Sequence, residues 1–477
     1  MKYLIFLLLC SITMQGFPKK VSKEKAKKVA ENWGAMSMNL SKDDIEKELC
    51  FISKDDTSLF VFNFKNGGFV IVPTDDHTCP ILAYSIENHI DLDNINPMLH
   101  DWLAYYSDMV KFNKKEPQDK KDKDKWQEIE EGISLKSVQA SVPSLFETTN
   151  SSRWAYWRPY FNQAPQAQSQ FYEGYNSCVP GGIARIMKYF KYPLIGTGIG
   201  SEYNNGSYFT QNINCFFNYD QMPFRLTYCG NGTNNCNDGS FNIIPGVTQA
   251  QIDEVGKIQY MAGLAVEMNW IGMGDTTTTT GTYGFTDEWA TDMADHFYYT
   301  TPTSSDHWTS GEITYDPSGF KSGLRSSLNG GYPVLFRYDT SSGGGGHLIV
   351  IDGYENDNYF HFSMGFGGAQ DAYYYLFSSD NDGVHLPRPH INLWGLDACL
   401  NIHPNCPPSQ NLTVTNKTVS NGSGELIQSG NDLLMDHVTI QSGGHAVLRA
   451  NHAIVISSDF EVALGGEILM VCKPCTN

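Results

Sequence analysis

The sequence lacks three features that would assign whole classes of function. It has 33 lysines and arginines against 52 aspartates and glutamates, a net charge of −19, so no basic face is expected to neutralise nucleic-acid phosphates. After Cys10 no apolar run approaches the roughly 20 residues of a transmembrane helix. The 13 histidines show no HExxH or comparable ligand spacing. We therefore expect no nucleic-acid partner, no membrane span, no metal and no cofactor.

The composition that remains is that of an exported globular protein. A chain of 477 residues with 41% hydrophobic and 18% charged residues predicts two or three folded domains. The first 16 residues combine Lys2, an apolar run and small or polar residues, as in a secretory signal, and the run is about half the length of a membrane anchor. Residues 1–16 are therefore predicted to be a signal peptide of a secreted or extracellular protein, with cell-surface attachment left open.

The next segments predict a small domain and a linker. In residues 17–115, Ser22 is placed to cap a helix, and apolar residues alternate on both sides of Asn66-Gly67-Gly68, which indicates a hairpin. This is an α+β pattern. Residues 116–141 belong to a highly charged stretch that is poor in apolar side chains. We interpret them as an exposed, cleavable linker.

Two further regions differ in composition. Residues 142–406 are rich in aromatics and glycine, with strand-like runs and one helical run after Cys178, and form the largest predicted domain. Residues 407–477 contain short alternating strands separated by polar or glycine turns, which favours a β-solenoid or a sandwich. This C-terminal part lacks an acid, base or nucleophile constellation and is predicted to be a structural module.

The 11 cysteines of an exported chain are expected to be mostly paired. Short-range bridges are compatible with the spacing, although the connectivity is not deducible. For the terminal Cys-Lys-Pro-Cys a local disulfide is favoured over a redox or metal pair. Cys178 is left without an obvious neighbour. The neighbouring cysteines form three groups: Cys215, Cys229 and Cys236; Cys399 and Cys406; Cys472 and Cys475.

Cys178 stands where a nucleophile would be activated. It precedes an apolar helical pattern, and a helix N-terminus together with a nearby histidine lowers the pKa of a thiol. His347 follows a glycine run and begins an apolar strand, so a loop would give access while the strand gives position. The alternative is a histidine that only begins a core strand. Gly181 and Gly182 weaken the helix unless a close approach requires them.

These two segments resemble a known family. "SCVPGGIARIMKYFKYP" is similar to the motif Gly-Cys-Val-Ala-Thr-Ala-x-Ala-Gln-Ile-Met-Lys-Tyr-x-x-Tyr-Pro of the streptopain family of secreted papain-like cysteine peptidases. "GGHLIVIDGY" resembles that family's Gly-Gly-His-Ala-x-Val-Ile-Asp-Gly. The resemblance implies an α+β, papain-like fold, Cys178 as nucleophile and His347 as base. The region of "PTDDH" looks like the family's inhibitory pro-segment, and the tail resembles β-rich C-terminal modules.

The chain departs from the family pattern at supporting positions. Tyr156 stands where the family's oxyanion glutamine is usual, with its hydroxyl, or Gln163, as alternative donors. Ser363 and Met364 replace the Asn-Trp pair that orients and shields the histidine, and Gly181-Gly182 replace Thr-Ala. Asp352 is interpreted as the turn that ends a strand and His361 as a solvated strand residue.

The prediction is thus a zymogen: an inhibitory pro-domain, a papain-like catalytic domain and a C-terminal module. The resemblance implies acyl transfer on protein or peptide substrates, with the chain's own pro-domain as inhibitor. Two alternatives stay open. One is a catalytically weakened or inactive protein whose cleft binds peptides or host proteins, and the other is a Cys-His enzyme that transfers acyl groups to amines.

Overall fold

The computed structural model describes most of the chain. The predicted signal peptide, residues 1–16, lies outside the described residues. Within them, no helix combines the length and the apolar character needed to cross a membrane. The described residues are 20–53, 56–93, 95–115, 120–133, 141–156, 159–164, 178–204, 207–229, 241–270, 285–339, 346–356, 358–380, 383–385, 394–457, 459–473 and 475.

The N-terminal unit packs helices against a small antiparallel sheet. Ser22 caps the first helix as predicted, since its hydroxyl accepts the N–H of Lys25 at 3.2 Å. The predicted hairpin is also present, with Gly67 and Gly68 at φ of +99° and +98°, a backbone region that glycine adopts readily. Its elements are α1 (Lys23–Ser37), β1 (Ile45–Ser53), β2 (Asp56–Phe64), β3 (Phe69–Pro73), β4 (Ala83–Ser85) and α2 (Pro97–Asn113).

The interpretation of residues 116–141 as a linker was wrong in its middle part. Residues Lys120–Glu131 form helix α3, whose Trp126 and Ile129 are buried. The indole of Trp126 donates to the Thr78 carbonyl at 2.8 Å, and Asn32 of α1 donates to the Ile129 carbonyl at 2.8 Å. The charged helix therefore packs on the N-terminal unit through a narrow apolar face. Residues 116–119 and 134–140 lie outside the described residues.

The central unit, which begins near residue 142, combines helices with the rest of the sheet. Residues 347–354 and 359–363 of two of its strands are all buried, so both faces of the sheet are covered there. The helices are α4 (Leu145–Thr148), α5 (Cys178–Phe190), α6 (Gln249–Ala265), α7 (Thr286–Phe297), α8 (Ser310–Tyr315) and α9 (Pro317–Asn329), with a 3₁₀ turn at Tyr219–Gln221. The strands are β5 (Ile199–Asn204), β6 (Ser207–Asn212), β7 (Thr227–Cys229), β8 (Phe241–Ile243), β9 (Asn269–Trp270), β10 (His307–Thr309), β11 (Val334–Asp339), β12 (Gly346–Glu355), β13 (Tyr359–Ser363), β14 (Ala372–Tyr375), β15 (Ser378–Asp380), β16 (Gly383–His385) and β17 (Trp394–Cys399).

One sheet joins the N-terminal and central units. Its strand order is β1-β2-β3-β4-β14-β13-β12-β11-β17-β10, so ten strands form one layer across both units. The junction is the antiparallel pair β4–β14, where Tyr84 lies opposite Tyr373. Trp102 of α2 is fully buried against this layer, with ring centroids 5.3 Å from Tyr338 and 5.1 Å from Phe362. The N-terminal unit is thus part of the core of this form of the protein.

The C-terminal region is a β-solenoid, which decides between the two predicted architectures. Leu412 lies beside Leu433 and Leu433 beside Ile454 in parallel register, so successive coils stack directly. Leu433 and Met435 are fully buried at alternate positions, as the period of a strand requires. The strands are β18 (Leu412–Val419), β19 (Gly424–Ser429), β20 (Asp432–Ile440), β21 (His445–Ala450), β22 (Ala453–Ile456), β23 (Glu461–Val462) and β24 (Glu467–Cys472).

The disulfide that the described residues contain differs from the short-range bridges that the spacing suggested for Cys399 with Cys406 and for Cys472 with Cys475. Cys406 pairs with Cys475, 69 residues later, because stacking of the coils brings the end of the module back to its beginning. Cys475 therefore has no local bridge to Cys472, and Cys399 is not paired with Cys406. Cys178, Cys215, Cys399 and Cys472 are free thiols, and Cys236 lies outside the described residues.

Candidate active site

The site forms where helix α5 meets strand β12. Cys178 is the first residue of α5, and its neighbours Ile183, Ile186 and Met187 are buried at the spacing of an apolar helix face. His347 is the second residue of β12 and lies opposite Tyr338 of β11. The structure therefore brings the two predicted catalytic residues to one helix–strand contact, as a nucleophile and a base require.

The thiol of Cys178 is 9% exposed and faces main-chain donors. Burial raises its pKa, whereas the N–H groups of Leu348 and Val179 and the charge of Arg185 act in the opposite direction. Leu348 directly follows His347, so the sulfur lies beside the backbone of the strand that carries the imidazole. With burial dominant, this thiol is neutral at physiological pH.

The imidazole of His347 is held by rings and by one carbonyl. It is stacked on Phe366, with centroids 5.5 Å apart, and meets the ring of Tyr156 edge-on at 5.5 Å. Burial lowers its pKa to about 3. Nε2 lies 3.2 Å from the Met364 carbonyl, which can only accept, so Nε2 carries the proton. Nδ1 is then the acceptor, and it has no hydrogen-bond partner among the described residues.

Tyr156 does not offer its hydroxyl to an oxyanion. The hydroxyl donates to the Leu348 carbonyl at 3.1 Å and accepts from Arg185 at 3.0 Å. A Cβ on Gly181 would lie 2.8 Å from the tyrosine ring, and a Cβ on Gly365 would lie closer to it still. The large ring therefore explains the glycine at 181. The other candidate, Gln163, is a weak 3.5 Å donor to Asp253 on the surface.

Ser363 and Met364 support the site differently from the prediction. Ser363 stands where the family has the asparagine that orients the histidine, but its hydroxyl accepts from Arg185 at 2.6 Å and donates to Asp371 at 3.4 Å. The main-chain carbonyl of Met364 supports His347, while its side chain is fully buried.

Arg185 and Asp371 were missed by the sequence reasoning. Arg185 is 1% exposed within an otherwise apolar face of α5, and Asp371 is 6% exposed. Burial raises the pKa of Asp371, against the effects of His361, Arg185 and the Met364 N–H. A charged residue between Ala184 and Ile186 was the available signal, because a buried guanidinium needs partners.

The interpretation of Asp352 and His361 was wrong. Asp352 lies inside β12 and is fully buried, and the ring of His361 is 7% exposed and not solvated. Their side chains are 2.6 Å apart, and Asp352 also accepts from the Ser144 hydroxyl at 2.5 Å. Burial acts to lower the pKa of His361, but the carboxylate outweighs it and the pKa is raised. The pair anchors α4 to the sheet.

The described part of the chain contains no cluster of His, Cys, Asp or Glu side chains that could hold a metal ion. Residues 154–374 match the profile of the peptidase C10 family, and residues 18–110 match that of the Spi protease inhibitor. The central unit is thus similar to the peptidase C10 family. The C10 match contains Cys178 and His347, and the inhibitor match contains α1 and β4.

The relatives confirm the predicted resemblance and the fold. The thiol protease/hemagglutinin PrtT of Porphyromonas gingivalis is 23% identical over 515 residues, which cover 98% of this chain and 53% of PrtT. Streptopain of Streptococcus pyogenes is 24% identical over 332 residues, 67% of this chain and 74% of streptopain. The structure of a prointerpain A fragment from Prevotella intermedia matches with a TM-score of 0.50 and 18% identity, over 74% of this chain and 98% of that fragment. The chain thus spans about half the length of PrtT.

Proposed function

We propose that the chain is the zymogen of a secreted cysteine peptidase, with Cys178 as nucleophile and His347 as general base. One observation carries this proposal. The sulfur of Cys178 lies beside the N–H of Leu348, the residue that follows His347 on β12. The imidazole of His347 has Nε2 bound to a carbonyl and Nδ1 left as an acceptor. The family match and the inhibitor match support it, and the signal-like residues 1–16 support secretion.

The proposed reaction is acyl transfer to water. Nδ1 of His347 takes the thiol proton while Sγ of Cys178 attacks the peptide carbonyl carbon. The C–N bond then breaks, the imidazolium protonates the leaving amine, and a thioester remains. Water deprotonated by His347 hydrolyses the thioester and restores the thiol. Main-chain N–H groups at the start of α5 are the proposed oxyanion donors, since the hydroxyl of Tyr156 is engaged elsewhere.

The N-terminal unit is proposed to keep the site latent. With this unit in place the thiol has a raised pKa and the imidazole a pKa of about 3, so both partners are neutral. Trp102 packs on Tyr338, whose ring lies 5.8 Å from His347. Release of α2 and β4 would uncover the layer next to the site and reduce the burial that holds both groups neutral.

The engaged hydroxyl of Tyr156 favours one second candidate, a protein that binds peptides in the same cleft without cleaving them. The assay that separates the two is hydrolysis of a quenched fluorogenic peptide library by the matured protein. The peptidase proposal expects turnover that a thiol-alkylating reagent abolishes. Peptide binding by equilibrium dialysis without any turnover would support the binding protein.

Maturation is expected to cut between Gly132 and Val142. Helix α3 packs on α1, and Val142 forms a two-bond bridge with Tyr354 of β12 at 2.9 and 2.8 Å, so the chain on both sides is held by hydrogen bonds that resist proteolysis. N-terminal sequencing of the matured enzyme checks this. A mature N-terminus before Lys120 would show that α3 stays with the enzyme.

Removal of the solenoid after Pro407 is expected to lower thermal stability but to leave small-peptide turnover within about threefold. The module contacts the central unit at Tyr192 and Tyr298, through Gln428 and the N–H of Leu426 at 3.2 and 2.9 Å, and these contacts lie away from His347. Melting temperature and turnover of the truncated protein test this. Lost turnover in a protein with native circular dichroism would place the module in the active site.

A further inference from the structure

A buried guanidinium lies directly beneath the site. Arg185 is on α5, two helical turns after Cys178, and is 1% exposed. It donates to the Gly181 carbonyl at 3.2 Å, the Tyr156 hydroxyl at 3.0 Å, and the carbonyl and hydroxyl of Ser363 at 3.0 and 2.6 Å. A buried cation is tolerated only when its donors are paired in this way.

A buried carboxylate, that of Asp371, binds the peptide group that joins Ser363 to Met364. Oδ1 of Asp371 accepts the N–H of Met364 at 2.7 Å, and Arg185 donates to the carbonyl of Ser363. The Ser363 carbonyl and the Met364 N–H belong to one peptide unit. That unit is therefore held at its negative end by a cation and at its positive end by an anion.

The next carbonyl along the chain, that of Met364, is the acceptor for Nε2 of His347. We infer that Arg185 and Asp371 are positioning residues of the imidazole. They fix the peptide between Ser363 and Met364, so that the Met364 carbonyl keeps the His347 proton on Nε2 and leaves Nδ1 as the base. This inference rests on the proposed function of His347 and assigns to two charged residues the orienting task that an asparagine side chain has in the family motif.

The departures from the family motif meet in this network. Position 185 is glutamine in the motif, position 156 is glutamine and position 363 is asparagine, whereas this chain has Arg185, Tyr156 and Ser363. In the structure the arginine donates to both of the other residues. The three changes are thus one coordinated replacement, which a single reversion would break.

Arg185→Gln in the matured enzyme is expected to lower kcat about 10²-fold with little change in KM, because a loosened imidazole reacts more slowly while the peptide cleft is unchanged. It should also move the acid limb of the kcat/KM profile to higher pH. Arg185 lowers the pKa of His347, so its loss raises that pKa and leaves the base protonated over a wider pH range.

Arg185→Gln leaves the other charged and titratable groups near the site in place. They are Cys178 on α5, Tyr338 on β11, Asp101 on α2, and Tyr156 and Asp371, which lie outside the helices and strands. Arg185→Lys keeps the cation but loses the planar fork. It should therefore lower kcat while leaving the acid limb in place. Asp371→Asn removes the anion and should move the limb to lower pH.

Lys188 provides the matched control. It is a second buried cation on α5, 6% exposed. Its ammonium donates to the carbonyl of Tyr219 at 2.5 Å and not to the groups that hold His347. Lys188→Gln should lower stability but leave kcat and the pH profile unchanged. If Arg185→Gln does not fold, Tyr156→Phe removes only the hydroxyl bonded to Arg185 and should lower kcat by several-fold, and Asp371→Asn supplies the pH shift.

The inference is overturned if Arg185→Gln changes kcat no more than Lys188→Gln and leaves the acid limb of the pH profile unmoved. If Arg185→Gln does not fold, the same two results for Tyr156→Phe and Asp371→Asn overturn it. Failure of the proposed function is a separate outcome. In that case the wild-type matured protein itself would show no turnover and no alkylation at Cys178.

Discussion

Cys178→Ala and His347→Ala are each expected to abolish peptide hydrolysis, by at least about 10⁴-fold, and to stop any self-processing of the zymogen. Thiolate and base act as one unit in such mechanisms, so loss of either removes most of the rate enhancement. Among the described residues, the groups in contact with His347 are aromatic rings and a carbonyl. None of these can replace the imidazole as a base. Initial rates on a fluorogenic peptide and band shifts of the zymogen measure both effects.

Cys215→Ala is the matched control for the nucleophile. Cys215 is a half-buried free thiol in the same unit, and burial raises its pKa to about 11, so its loss should leave the rate unchanged. Retention of activity in Cys178→Ala, or equal losses in both variants, would contradict the assignment of the nucleophile.

Trp102→Ala in the zymogen is expected to release activity before processing. Trp102 is fully buried between α2 and the sheet of the central unit, against Tyr338 and Phe362. Truncating a buried tryptophan costs about 3–5 kcal/mol. If that loss destabilises only the closed form, the population with a released N-terminal unit rises about 10²–10⁴-fold. The early rate of small-peptide hydrolysis and the half-time of maturation should both report it.

Trp289→Ala is the control for general destabilisation. Trp289 is 4% exposed on α7, away from the contact of α2 with the sheet. Its loss should lower the melting temperature without raising the activity of the zymogen. A folded Trp102→Ala zymogen that remains as silent as the wild type and matures no faster would contradict latency through this contact.

Local patterns predicted the elements that carry the site. The apolar period after Cys178 and the strand after His347 depend on neighbouring residues only, and both elements are present. The strands of the C-terminal module also follow from alternation within each strand, whereas the choice of a solenoid over a sandwich does not. These are features that a short window of sequence contains.

The mistaken interpretations share a physical cause, namely contacts between segments far apart in the chain. Helix α3 was taken for a linker because average charge concealed the spacing of Trp126 and Ile129, whose partners lie on the N-terminal unit. Cys475 reaches Cys406 only through coil stacking. The support of His347 by Met364 depends on Arg185 and Asp371, which are far from His347 in sequence.

Mass spectrometry after treatment with a peptidyl thiol-directed inhibitor tests the central assignment most directly. The matured protein is expected to gain the mass of one inhibitor, with the adduct mapped to Cys178. The His347→Ala variant and the intact zymogen are expected to gain far less in the same time, because the first lacks the base and the second keeps the thiol buried. An unmodified Cys178 in the folded, matured protein, or an adduct confined to exposed Cys472, would contradict the account.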